Sequence, residues 1–150
     1  MKKFAFLLAA LTAACLATAY SEQSKAIDNP DYFVSEKEHT WYAANYYCYS
    51  QGWNLVSIAN FEATTLLKGF REFYAAFTGT SYWSAGNRLE SKKWLWGLGG
   101  HKFSYLNWAS GQGNNSTEKK CLLLGETADS LWSQEDCTKM QKFICQKHDF

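Results

Sequence analysis

Proline is almost missing from this 150-residue chain, Pro30 being the only one. No Asn-Gly or Asp-Gly dipeptide occurs, so the strongest short signal for a two-residue hairpin is absent. The chain has no G-x-S-x-G and no H-E-x-x-H, which removes the usual signatures of serine hydrolases and zinc proteases. It has no C-x-x-C, and of its three histidines (His39, His101, His148) only His148 lies near a cysteine, so a zinc site lacks its spacing. Gly97-Leu98-Gly99-Gly100 is glycine-rich, but it follows no βα unit and reads as a turn rather than a phosphate loop. An excess of one charge is also lacking: the formal net charge is +1. That balance argues against nucleic acid or an anionic membrane as the main partner.

Long apolar runs are scarce as well. The one that stands out, residues 4–17, follows Met1-Lys2-Lys3 and ends at Ala17-Thr18-Ala19. A basic start, a short apolar stretch and a small-residue cleavage motif predict a signal peptide over 1–19. No other stretch approaches the length that spans a bilayer, so no membrane insertion is expected. Residues 20–31 are polar and are expected to form a flexible N-terminal segment. Residues 32–147 then make one domain, long enough to bury a core. The expected localisation is secreted and extracellular.

What the chain does have is cysteine and aromatic residues. One of its five cysteines, Cys15, falls in the signal segment, leaving Cys48, Cys121, Cys137 and Cys145. Four cysteines in an exported chain imply two disulfides, and spacing leaves three pairings open. The aromatic share is 17%, so the core is expected to be rich in rings. Trp94, Trp96, Trp108 and Trp132 are able to stack on sugar rings, but Trp96 and Trp108 are expected to serve the core instead.

Local patterns predict α+β. Tyr32-Phe33-Val34 reads as a first strand. Trp41, Ala44, Tyr47 and Cys48 recur at helical spacing between a Thr40 cap and the Gly52 stop. Residues 55–58 read as a second strand. Asn60 can cap a second helix to about Phe77, with Ala63, Leu66, Leu67, Phe70, Tyr74 and Phe77 on its apolar face and Gly79 after it. Beyond Tyr82 only short strands are expected, at 82–86, 94–96, 102–103, 121–124, 131–132 and 143–145. Two helices followed by strands point to α+β rather than a βαβ repeat. Residues 109–120 form a long polar stretch, and loops of that length in small domains are usually functional.

Five separated pieces, in order, resemble the C-type lectin family. They are Trp41-Tyr42-Ala43-Ala44 with Cys48, Gln51-Gly52 and Leu55-Val56-Ser57-Ile58; Tyr82-Trp83-Ser84-Ala85-Gly86; Asn107-Trp108 with Gly111 and Asn114-Asn115; Leu131-Trp132 with Cys137; and Phe143-Ile144-Cys145. The likeness covers residues 32–147 and is nearest to secreted, single-domain insect members. It implies a C-type lectin-like fold, two helices packed on short antiparallel sheets with a long disulfide-tied loop region. It also implies the pairings Cys48–Cys145 and Cys121–Cys137.

Sugar-binding members of that family hold calcium in the long loop, through a triplet, a glutamate before the third cysteine, and an Asn-Asp pair after a tryptophan. Here the triplet becomes Gln112-Gly113-Asn114, the glutamate becomes Lys119, and the pair becomes Ser133-Gln134. Calcium takes six to eight oxygens, several from carboxylates, and these positions supply none. The family's cis proline is Gly113 here, and a cis bond before a non-proline residue costs about 2.5–4 kcal/mol. No cofactor is therefore expected, with calcium the one metal the resemblance raises. Glu118, Glu135 and Asp136 lie one or two positions away; they offer an unorthodox calcium site, with a solvated acidic rim the preferred expectation. Glu118 joins Gln112, Asn114, Lys119, Ser133 and Gln134 as the candidate loop residues. Asn114-Asn115-Ser116-Thr117 carries two overlapping glycosylation sequons, at Asn114 and Asn115.

The resemblance implies a non-enzymatic recognition protein whose partner is a glycan or a protein surface. Innate immune pattern recognition is the process it suggests. A homo- or hetero-dimer with a related lectin-like chain is a further expectation. The alternative is a calcium-independent protein-binding module or heteromer subunit.

Overall fold

A computed structural model describes residues 31–65, 67, 80–125 and 131–147. The signal-peptide and flexible-segment expectations, and most of the second helix, lie outside the described residues.

Strand β1 (Tyr32–Val34) is followed by helix α1 (Trp41–Ser50). Thr40 Oγ1 accepts from the Ala43 N–H at 3.2 Å, satisfying one of the free donors at the helix start. Trp41, Ala44 and Cys48 fall at i, i+3 and i+7 and are fully buried, which is why the helix lies against the sheet on that stripe. Gly52 ends it with φ +74°. Strand β2 (Trp53–Leu55) follows, then a second helix whose described part begins at residues 61–65. Asn60 Oδ1 caps that helix, accepting from Ala63 N at 2.8 Å.

The second strand departs from the expected 55–58. Val56 and Ile58 are buried yet lie beyond β2. The Val56 N–H donates to Ile144 at 2.8 Å and its carbonyl accepts from Ala85 at 2.9 Å. The apolar run therefore marked burial, which extends past the regular ladder.

The remaining strands are β3 (Tyr82–Asn87), β4 (Leu95–Trp96), β5 (His101–Lys102), β6 (Lys119–Leu124), β7 (Trp132–Asp136) and β8 (Lys142–Lys147). All six residues of β3 are buried. This strand pairs antiparallel with β4 and β6 and parallel with β8, so one pairing breaks the otherwise antiparallel pattern. Strand β8 also pairs antiparallel with β1 and β2, and β6 with β7. Gly86 is required at the centre: a Cβ there would lie 2.7 Å from the Leu122 Cβ on β6. Two of the polar side chains inside find backbone acceptors. Trp41 Nε1 donates to the Ser84 carbonyl at 2.8 Å, and Asn87 Nδ2 donates to the Ala85 and Gly97 carbonyls at 3.1 and 3.0 Å.

Two disulfides join this frame. Cys48 on α1 is bonded to Cys145 on β8 across 97 residues, and Cys121 on β6 to Cys137 across 16.

Candidate functional site

The long loop between Trp108 and β6 lies on a bed of rings. Trp132 is fully buried, in edge contact with Trp96 at 5.4 Å, Phe103 at 5.5 Å, Tyr105 at 5.7 Å and Trp108 at 5.6 Å between centroids. Trp94 and Trp108 are half-buried and 4.9 Å apart. Each of the four tryptophans is thus engaged in packing with others, Trp96 and Trp132 completely. The loop is stitched to this bed by backbone bonds: Trp132 N donates to the Asn107 carbonyl at 2.8 Å and Ala109 N to the Trp132 carbonyl at 2.9 Å.

Three residues singled out by the sequence meet here. Gln134 is buried, and its backbone N–H donates to Gln112 Oε1 at 3.2 Å. Its side-chain Nε2 donates to Asn114 Oδ1. Asn114 Oδ1 also accepts from Ser116 N at 3.1 Å. Neutral amides thereby tie the loop to β7. The other three predicted residues stay outside this knot. Ser133 alternates to the opposite face of β7 from Gln134. Glu118 is exposed, its backbone N–H donating to Ser116 Oγ at 3.3 Å. Lys119 pairs with Glu135 at 3.7 Å, an exposed contact worth at most about 1 kcal/mol.

Calcium is the metal the fold implies for this loop, and the residues do not fit it. The Gln112 and Asn114 side-chain oxygens already accept N–H groups, and Lys119 adds a cation beside Glu135. The Gln134 Oε1 is buried without a partner among the described residues, but a single amide oxygen is no calcium shell. No group of three or more His, Cys, Asp or Glu side chains gathers among the described residues. Asp136 turns its carboxylate to the Thr138 backbone N–H at 2.9 Å and hydroxyl at 2.8 Å. Those hydrogen bonds, the backbone one foremost, hold its pKa below the usual value.

Gly113, at the position of the family's proline, has φ +78° and no cis peptide occurs among the described residues. A Cβ at Gly113 would come within 2.8 Å of the Trp108 indole. Gly113→Ala is expected to lower stability by about 1–3 kcal/mol, from strained φ and crowding together. Thermal denaturation against the parent protein measures it, and an unchanged midpoint would mean that the loop does not rest on Trp108.

One residue of the site was not singled out from sequence. Arg88, directly after β3, is mostly buried. Its Nη1 donates to Asn115 Oδ1 at 2.6 Å, its Nη2 to the Ser116 carbonyl, and its guanidinium lies 5.8 Å from the Trp94 ring centre. An arginine adjoining a wholly buried strand was the available signal, but nothing in the spacing links 88 to 115. Asn115 is exposed and uses its Oδ1 for Arg88, while Asn114 Nδ2 donates to the Gly111 carbonyl at 3.5 Å. Of the two sequons, Asn115 has the side-chain nitrogen without an acceptor among the described residues.

The comparisons agree with this architecture. Residues 37–147 match the family model for the lectin C-type domain. Human C-type lectin domain family 3 member A is 27% identical over 116 residues, covering 77% of this chain and 58% of its own length. The chain thus spans under two thirds of that relative. Perlucin of Haliotis laevigata is 30% identical over 121 residues, covering 77% of this chain and 75% of perlucin. Among solved structures, a calcium-independent type II antifreeze protein superposes with TM-score 0.66 at 21% identity, covering 79% of this chain and 86% of that one. By its family match and its fold, the chain belongs to the C-type lectin domain family.

Proposed function

We propose that this chain is an exported, non-enzymatic recognition domain that binds glycan without calcium, in a role such as pattern recognition. The observation that carries the reading is the amide knot of Gln112, Asn114 and Gln134, which gives the loop a fixed shape with its own hydrogen bonds. A loop ordered in this way has no need of a metal to set its geometry. The solved antifreeze protein described as calcium-independent is a precedent for the fold without the ion.

Retention on a panel of immobilised glycans, in calcium and then in EGTA, tests this. Retention unchanged by EGTA is the expected result. Elution by EGTA would overturn the reading. Calorimetric titration with calcium alone is expected to give no saturable heat.

A second reading, a protein partner, is favoured by one feature. Tyr42, Tyr46 and Tyr49 follow one another at i, i+4 and i+7 on α1 and are 50%, 73% and 75% exposed. Three exposed rings on one helical stripe suit an interface, where tyrosine is enriched. Tyr49 and Asn45 also border a groove of about 850 Å³. Light scattering during size exclusion separates a dimer held by this stripe from a monomer, with Tyr46→Ser and Tyr49→Ser as the control.

A further inference from the structure

A second cleft lies beside the loop, between the turn at 88–92 and the segment at 115–120. Its volume is about 670 Å³, within the range of small-ligand clefts. Arg88, Lys92 and Lys120 border it together with Glu90. Among the described residues none of the three cations is in an ion pair. The Glu90 carboxylate is engaged, its Oε2 accepting from the Gly99 N–H at 2.9 Å. Arg88 spends two N–H donors on Asn115 and Ser116, and the other three of its five have no acceptor among the described residues. The Asn115 Nδ2 and the Thr117 hydroxyl, on the same rim, are also without partners among the described residues.

We propose that this cleft binds an anionic saccharide, a sugar carrying a sulfate or carboxylate group. This deepens the recognition reading by naming a ligand class, and rests on it. Charge complementarity carries the argument. Three cations facing one engaged carboxylate leave local positive potential, in a chain whose overall charge is nearly balanced. A single acidic group finds convergent donors in this cleft. Planar guanidinium and lysine ammonium groups make charge-assisted bonds to such an oxyanion. The Asn115 amide and Thr117 hydroxyl complement the sugar hydroxyls beside it. The same potential disfavours a calcium ion at this rim.

The test uses the full chain produced without N-glycans, since a glycan on Asn115 would stand at the mouth of the cleft. Three oligosaccharides of equal length are titrated by calorimetry, one sulfated, one carboxylated and one neutral, with inorganic sulfate as a fourth titrant. Binding of the sulfated or the carboxylated sugar is expected, weakening with salt and at least about tenfold tighter than the neutral one. The variant Lys92→Ala with Lys120→Ala is expected to weaken it about tenfold while leaving the thermal midpoint unchanged. Arg88 is spared because it holds the loop. No binding of either acidic sugar, equal binding of the neutral one, or unaltered affinity in the double variant would overturn the proposal. Inorganic sulfate binding as tightly as the acidic sugars would also overturn it, because the sugar would then contribute nothing. Calcium-independent retention of a neutral glycan alongside any of these failures would leave the broader recognition reading standing.

Discussion

Replacing Cys48 and Cys145 together by alanine is expected to lower the unfolding free energy by about 4–5 kcal/mol. The bridge closes 97 residues, and in the chain-entropy model a loop of about 100 residues is worth about 4.7 kcal/mol. The Cys121–Cys137 bridge closes only 16 and is worth about 3 kcal/mol by the same model. Domains of this size are stable by about 5–15 kcal/mol, so the first loss threatens the fold and the second does not. Guanidinium unfolding of both double variants, followed by circular dichroism, gives the two midpoints. A larger loss for Cys121→Ala with Cys137→Ala would show that loop closure is not what the longer bridge contributes.

Trp132→Ala is expected to cost about 3–5 kcal/mol, the range for emptying a large buried aromatic site. Trp132 is the ring on which Trp96, Phe103, Tyr105 and Trp108 converge, so no small shift refills the hole. Its backbone also holds Asn107 and Ala109. Amide exchange at Ala109 and Gln112 should therefore quicken more than exchange in α1. Trp132→Phe should recover much of the loss. Equal quickening in α1 and the loop would mean that the ring supports the whole core and not the site above it.

The frame was readable from the sequence where burial and local chemistry coincide. Helix α1 is such a case: Thr40 can cap, and Trp41, Ala44 and Cys48 share a stripe. Strand β3 is another, expected at 82–86 and found at Tyr82–Asn87 with every residue buried. The end of β2 was not readable, since Val56 and Ile58 are as buried as any ladder residue. At the site, spacing reached positions but not partners. Gln112, Asn114 and Gln134 drew attention only through the resemblance, as places where a metal's ligands had been replaced. That their amides bind one another depends on distances across 20 and 22 residues, which no local pattern encodes. Arg88 escaped notice for the same reason, its acceptors lying 27 and 28 residues away.

The place of β8 has a consequence for how the protein is made. Three earlier strands, β1, β2 and β3, hydrogen-bond to it, and Cys145 within it holds Cys48. Synthesis runs from the N-terminus at about 5–20 residues per second. Until residues 142–147 have emerged, those strands wait with open edges and Cys48 waits as a free thiol. The first half of the domain therefore cannot mature as it is translated, and Cys48 is left open to the wrong partner, Cys121 or Cys137, which arrive first. Truncation before residue 142 would remove the strand to which β1, β2 and β3 all bond.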